Sequence, residues 1–470
     1  SGVAVVAEDT WAAMKGREAL EVKWDEGPGA AESAASLRKQ FEELTAKPCK
    51  AFRNDGHVDA ALARAAKRVD AVFELPFLAH APMEPANCTA HVQKDRCEVW
   101  APTQSPEGVH GAAQGITGLP PEAIRVNIVF AGGGFGRRWF PSEAADAVEV
   151  SKLAGAPVQV VWTRADDLQH GFYRPASYHR MSAGLDAAGW PMAWLHRYAS
   201  TSIMGSFQPK SPSPEAMELE GTVDFPYGVP NVRVEYAPAA SVAPRGWLRS
   251  VSHTYTAFVV QSFLDELAAA AGKDPLAYRL GLLREPRQIP VPGGEEEKLA
   301  IDTQRLRRVL ELAAEKAGWG RALPKGRGLG LAHHFSFYTY AAEVAEVSVA
   351  PGGKVRVERV VCAVDCGTVV NPEGARAQLE GGVVQGLGAA LKGEITLERG
   401  RVQQSNFHDY DVLRLGEMPA IEVHFVPSSA PPTGVGEPGF PPAAPALANA
   451  IFAATGKRIR RLPVRAKDLA

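Results

Sequence analysis

Cysteine is scarce here, with five residues in 470, at positions 49, 88, 97, 362 and 366. No two of them form a C-x2-C pair, so the chain has no zinc or iron–sulfur motif of its own. Cys362 and Cys366 could serve a metal or redox centre only with ligands from elsewhere, and the five read as structural thiols. Net charge is also small: 51 Lys+Arg against 53 Asp+Glu leave −2. That excludes the basic surface a nucleic-acid partner requires. Long apolar runs are missing too. The longest, Pro442 to Gly456, falls short of the roughly 18 residues a membrane span needs and reads as a buried helix. The opening Ser1 to Ala7 shows no basic segment followed by an apolar core, so no signal peptide is visible, although one could already have been removed. P-loop, serine-nucleophile and H-E-x-x-H motifs are absent.

What is present is a globular composition, 46% hydrophobic and 22% charged, at a length that predicts about three domains. Residues 1–50 read as a partial α/β domain already under way. Its expected elements are a strand at Val3–Ala7, a helix at Thr10–Leu20, a strand at Leu20–Trp24 and a loop at Glu26–Ala35 before another helix. Residues 51–290 alternate strands and helices, most clearly in the strand Ile124–Phe130, the glycine turn, the helix Ser142–Leu153 and the strand Val158–Trp162. A helix over Thr256–Ala271 ends at Gly272. The stretch Arg284–Lys298, with its prolines and the acidic run Glu295–Glu297, reads as a solvated linker. Residues 291–470 resume the mixture with an amphipathic helix around Leu306–Ala317 and strands near Ala342–Val349 and Val355–Val364. The fold class is therefore α+β, a mixed α/β chain.

Two turns carry the candidate chemistry. Gly132-Gly133-Gly134-Phe135-Gly136-Arg137-Arg138 follows a strand and precedes a helix, where glycines let backbone N–H groups approach an anion or an oxo ligand. A ligand-free tight turn is the plainer reading of the same residues. Dinucleotide binding is disfavoured, because Arg137 occupies the third glycine position of G-x-G-x-x-G. In Gly434-Val435-Gly436-Glu437-Pro438-Gly439 a single carboxylate sits among glycines and prolines with apolar flanks. Buried, it is a competent general base; otherwise it caps the helix that follows. His333 and His334 are adjacent, so along a strand they point to opposite sides and do not chelate one ion. Glu84, in an apolar turn, calls for a structural hydrogen-bonding partner. Phe172, Tyr173, Phe335, Phe337, Tyr338 and Tyr340 form either a ring-stacking wall or ordinary core.

Six segments occur in a telling order: His80-Ala81-Pro82-Met83-Glu84-Pro85, the glycine loop, Trp162-Thr163-Arg164, Trp247-Leu248-Arg249-Ser250-Val251, Gln404-Ser405-Asn406-Phe407-His408-Asp409-Tyr410 and the glutamate turn. Together they resemble the molybdopterin-binding subunit of the xanthine dehydrogenase and aldehyde oxidoreductase family, in particular its isoquinoline 1-oxidoreductase beta-subunit branch. The resemblance covers nearly the whole chain. It makes 51–290 and 291–470 the first and second molybdenum-cofactor-binding domains, with Glu437 as the base that deprotonates a water-derived nucleophile attacking an electron-poor carbon. The substrate it implies is an aldehyde or an N-heteroaromatic; a non-catalytic cofactor scaffold of the same fold is the rival, and a nicotinamide-dependent dehydrogenase a third.

By the same resemblance Gln104, Gly133, Gly134, Phe135, Gly136 and Arg137 contact the cofactor from one side. Gln378, Gly381, Gly382, Gln385 and Gly436 contact it from another, and Arg249 orients substrate. No side chain ligates the metal directly. The implied cofactor is molybdenum–molybdopterin, in bacterial members the cytosine dinucleotide. Electrons leave through a small [2Fe-2S] subunit toward an acceptor such as a cytochrome. The family's Met-Gly-Gln-Gly motif occurs nowhere in this sequence, which leads us to expect a separate N-terminal fragment that completes the pocket. A periplasmic location follows for this branch, with the cytoplasm as the alternative.

Overall fold

The computed structural model describes residues 2–25, 27–207, 216–291 and 300–469. Three sheets and the helices between them make up the body. A five-stranded sheet runs in the order Lys50–Asp55, Val232–Ala239, Pro191–Thr201, Ser177–Leu185, Lys67–Leu75. A four-stranded sheet orders Arg327–Ser336, Thr339–Val349, Val355–Asp365 and Ala420–Phe425, the last pair parallel. A second four-stranded sheet, Ile124–Ile128, Cys97–Ala101, Asn87–Val92 and Val158–Val161, bears the glycine loop at the end of its edge strand.

The helix His253–Ala270 joins the first two sheets. Phe258, Val259, Phe263, Leu264 and Leu267 are wholly buried, and the chain leaves the helix at Gly272 with φ 65°. Its apolar residues surround it on every side, as a helix inside a core requires. The helix Ala443–Thr455 packs flat on Arg327–Ser336 because that strand carries Gly328 and Gly330. A Cβ on Gly330 would stand 2.0 Å from the Ala450 nitrogen. One continuous core spans residues on both sides of position 290, from Ala71 to Leu469.

The helices and strands expected at Ser142–Leu153, Thr256–Ala271, Leu306–Ala317, Ala342–Val349 and Val355–Val364 are all present, within a few residues at their ends. The strands expected at Val3–Ala7 and Leu20–Trp24 are not. Neither segment joins a sheet among the described residues, and Val3, Val6, Leu20, Val22 and Trp24 stay exposed. An apolar run becomes a strand only where a neighbour accepts its ladder hydrogen bonds. The helix between them, Thr10–Glu18, is capped by Asp9 and fastened by Arg17 to Asp166 at 2.6 Å. In the expected linker, Gln288–Pro290 pairs with Ala300–Asp302, while Pro292 to Lys298, with the acidic run, lies outside the described residues. The cysteines are free thiols, and no helix among the described residues is long and apolar enough to cross a membrane.

Candidate active site

Arg249 draws the site together. Its backbone N–H donates to the Phe135 carbonyl at 2.9 Å, its Nε to Gly436 O at 2.5 Å and its Nη2 to Gln378 O at 2.7 Å. One residue thus fastens the glycine loop, the glutamate turn and the helix Pro372–Leu391 to one another. These contacts make it a staple between backbones. Burial draws its pKa down to about 10, and Glu437 opposes the shift.

Glu437 is half-buried at the turn before the helix Ala443–Thr455. Its Oε1 accepts the Ser250 N–H at 3.0 Å, and its own carbonyl accepts the Ser250 hydroxyl at 2.7 Å. Ser250 reaches both because it and Val251 adopt left-handed backbone, φ 68° and 45°. Burial pushes the Glu437 pKa up, and the Ser250 N–H, His253 and Arg249 together do not cancel it; Glu220 adds to the rise. A carboxylate shifted this way is a better proton acceptor near neutrality than an exposed one.

The glycine loop is equally constrained. Gly133, Phe135 and Gly136 have φ of 100°, 56° and 99°. A Cβ at Gly136 would fall 1.7 Å from the Trp247 carbonyl, which no side chain survives. Gln104 leans on the loop, its Oε1 accepting the Gly136 N–H at 3.1 Å and lying where a Cβ on Gly134 would clash. From behind, Glu84 accepts the Gly132 N–H at 2.6 Å and pairs with Arg138 at 2.7 Å, the structural role its apolar turn called for. Arg137 is buried against Glu143 at 3.4 Å and stacks over Trp162 and Phe172.

On the helix Pro372–Leu391, Gly381 faces Arg249, and Gln378 lies beside Gly436. Gly382 instead packs on the backbone of Gly439, so its smallness serves the contact between helix and glutamate turn. The predicted residues therefore converge. Among the described residues, six of the seven non-glycine residues with positive φ, namely Ala81, Phe135, Ser250, Val251, Phe337 and Tyr338, belong to the segments around them. Strain of this kind persists where surrounding structure over-determines it.

Several contributors escaped the sequence. Ser250 shows no local signal, because nothing marks a serine for left-handed backbone. Phe140 stacks on Phe172 at 3.9 Å and on Trp247 at 5.2 Å, with Phe207 parallel to both, a cluster beside the loop. Of the six aromatics proposed as a wall, Tyr173, Phe335 and Tyr340 are core, whereas Phe337 and Tyr338 form the hairpin turn beside Gly434. His333 and His334 diverge as expected, to Tyr227 at 3.0 Å and His253 at 2.8 Å.

Among the buried polar atoms with no protein partner are Gln385 Oε1, on the helix Pro372–Leu391, Arg137 Nε and Nη2 and Arg138 Nη1, from the glycine loop, and His80 Nδ1. Unpaired guanidinium N–H groups suit an anion, and an unpaired amide suits a heterocycle. The residues present fit a phosphate-bearing pterin cofactor.

Comparison with known proteins agrees. The chain is 32% identical over 494 residues to a membrane-bound aldehyde dehydrogenase [pyrroloquinoline-quinone] of Gluconacetobacter polyoxogenes, with 99% of this chain and 62% of that protein covered. It is 30% identical to the isoquinoline 1-oxidoreductase subunit beta of Brevundimonas diminuta, covering 99% of this chain and 60% of that one. It thus spans about three-fifths of these relatives' length. The crystal structure of quinoline 2-oxidoreductase from Pseudomonas putida 86 superposes with a TM-score of 0.82 over 98% of this chain and 84% of that chain, at 15% identity, and shares the fold. Family models described as "Molybdopterin cofactor-binding domain" match residues 41–281 and 304–419, and the chain belongs to that molybdopterin cofactor-binding family.

Proposed function

We propose that this chain is the catalytic, cofactor-binding part of a molybdenum hydroxylase that oxidises an aldehyde or hydroxylates an N-heteroaromatic ring at an electron-poor carbon, with water as the oxygen source. The observation that carries the reading is Glu437: a half-buried carboxylate of raised pKa, gripped by Ser250 and stapled through Arg249 to the glycine loop. The cofactor, when bound, supplies Lewis-acid activation of water and accepts two electrons. Gln104 and the glycine loop would hold it on one side, and Gln378, Gly381 and Gln385 on the other, with Arg137 near its charged portion. Glu437 would take the proton that water loses. The names of the relatives, an aldehyde dehydrogenase and an isoquinoline oxidoreductase, support the substrate class.

The same reading includes the cytosine dinucleotide form of the cofactor, a [2Fe-2S] subunit that passes electrons to an acceptor such as a cytochrome, and a periplasmic site of action. It also includes a further segment bearing Met-Gly-Gln-Gly, on this or another polypeptide. The share of the relatives' length that this sequence spans is consistent with such a segment. The test is the purified complex carrying Glu437→Gln. It should keep its molybdenum and lose kcat/KM by about 10²–10⁴-fold. Full turnover at full metal content would refute the assignment.

A further inference from the structure

Beside Glu437 lies a group of ionisable side chains with no part in the proposed chemistry so far. His253 opens the helix His253–Ala270, in the same strained turn as the Ser250 N–H that grips Glu437. Its buried ring is held at both nitrogens: Nε2 lies 3.2 Å from Glu220 Oε2 and Nδ1 lies 2.8 Å from His334 Nε2. A nitrogen that faces a carboxylate keeps its proton. A nitrogen that faces another imidazole can donate or accept, so the two contacts fix where the ring sits. Burial holds His334 neutral, its pKa well below the ordinary value, with His253 and His333 reinforcing the effect.

Behind this pair is a cavity of ≈ 20 Å³ bounded in part by His334, His333, Asp224, Tyr227 and Gln261. Asp224 Oδ1 and His333 Nδ1 are buried at its wall without a protein partner. The space is about what one ordered water needs, and two unpaired polar atoms give it partners. Burial, with Glu220, pushes the Asp224 pKa up to about 6, and His253 opposes that shift.

The charges that face Glu437 are Arg249 from the turn, His253 from the helix and Glu220 from the segment before residue 224. Those around His253 are Glu220, His334, Asp224 and Glu437. Arg249 and His253 favour the Glu437 carboxylate, and Glu220 disfavours it. We propose that His253, clamped between Glu220 and His334 and backed by the Asp224 cavity, is a positioning residue that sets the pH above which Glu437 works as the base. Glu220 acts in the opposite sense. The inference rests on the reading of Glu437 as the base.

The holo-complex provides the test, through two variants with opposite expectations. His253→Gln removes a neighbour that favours the Glu437 carboxylate, so the acid limb of the kcat/KM profile should move up by about one pH unit, with KM little changed. Glu220→Gln removes a negative neighbour, and the limb should move down. A merely structural role gives no such reversal of sign. The carboxyl infrared band of Glu437, assigned by its loss in Glu437→Gln, should titrate with the same two displacements without reference to turnover. Should His253→Gln fail to fold, Glu220→Gln, at a partly exposed side chain, still decides. Limbs and bands that stay put, or move the same way in both variants, would overturn the proposal. If Glu437→Gln keeps full turnover, the assigned function fails instead, while the infrared titration still judges the coupling.

Discussion

Two carboxylates in this chain each accept a backbone N–H from a tight turn, Glu84 from Gly132 at 2.6 Å and Glu437 from Ser250 at 3.0 Å. Each also has a buried arginine beside it. Arg138 turns its Nη2 onto Glu84 at 2.7 Å, whereas Arg249 gives its Nε and Nη2 to the carbonyls of Gly436 and Gln378. Burial raises both carboxyl pKa values. At Glu84 the Gly132 N–H, the Asn87 amide and Arg138 outweigh it, and the group ends below the ordinary range. At Glu437 burial prevails and the group ends above. The donors turned onto the carboxyl, the Gly132 N–H and Asn87 amide ahead of Arg138, separate a structural anchor from a candidate base.

The largest expected effect would break the comparison outright. Glu437→Gln should cost about 10²–10⁴-fold in kcat/KM at unchanged molybdenum content, while Glu84→Gln, once loaded with metal, should stay within about tenfold of the parent. If both lose turnover equally, the two carboxylates do not differ in role.

Stability should run the other way. Glu84→Ala leaves Arg138 buried without its counter-ion, for an expected loss of about 2–3 kcal/mol in urea unfolding. Glu437→Ala leaves Arg249 both of its carbonyl acceptors and should cost clearly less. Arg249→Lys keeps the charge but loses the planar fork that spans two carbonyls, and about 1–2 kcal/mol together with part of the bound molybdenum should go with it. Full metal retention would show that the staple is dispensable.

The smallest effect is a difference in pH dependence, and its sign follows from the two shifts. Glu437, with its native pKa raised, contributes stability that is fully present below the unfolded pKa and lost as pH rises through the native value. Glu437→Gln should therefore gain relative to the parent toward neutrality. Glu84, with its native pKa depressed, contributes stability that is present above the unfolded pKa and lost as pH falls through the native value. Glu84→Gln should be most costly near neutrality and least in acid. Urea midpoints at about pH 4 and 7 measure both, with differences on the order of 1 kcal/mol. Curves that run parallel would sink the assignment of opposite shifts.

Local sequence made the helices and the two glycine turns legible, since helical periodicity and glycine punctuation act within a few residues. It misread Val3–Ala7 and Leu20–Trp24, whose apolar content suits a strand but whose ladder partner had to come from elsewhere. Arg249 was visible as a candidate, yet its stapling contacts were not, because its partners Phe135, Gln378 and Gly436 are more than 100 residues away along the chain. The grip of Ser250 on Glu437 was missed for the same reason, compounded by positive φ at residues that normally avoid it.

By itself the sequence determined which residues are on hand: a glycine at 136 that tolerates φ of 99°, one glutamate among glycines and prolines, and motifs in an order that points to a family. Only the tertiary structure decided what they do. Acidity and hydrogen-bond partnership depend on burial and on groups that distant segments bring within 3 Å. Ser250 and Glu437, 187 positions apart, acquire their chemistry only where the folded chain makes them neighbours.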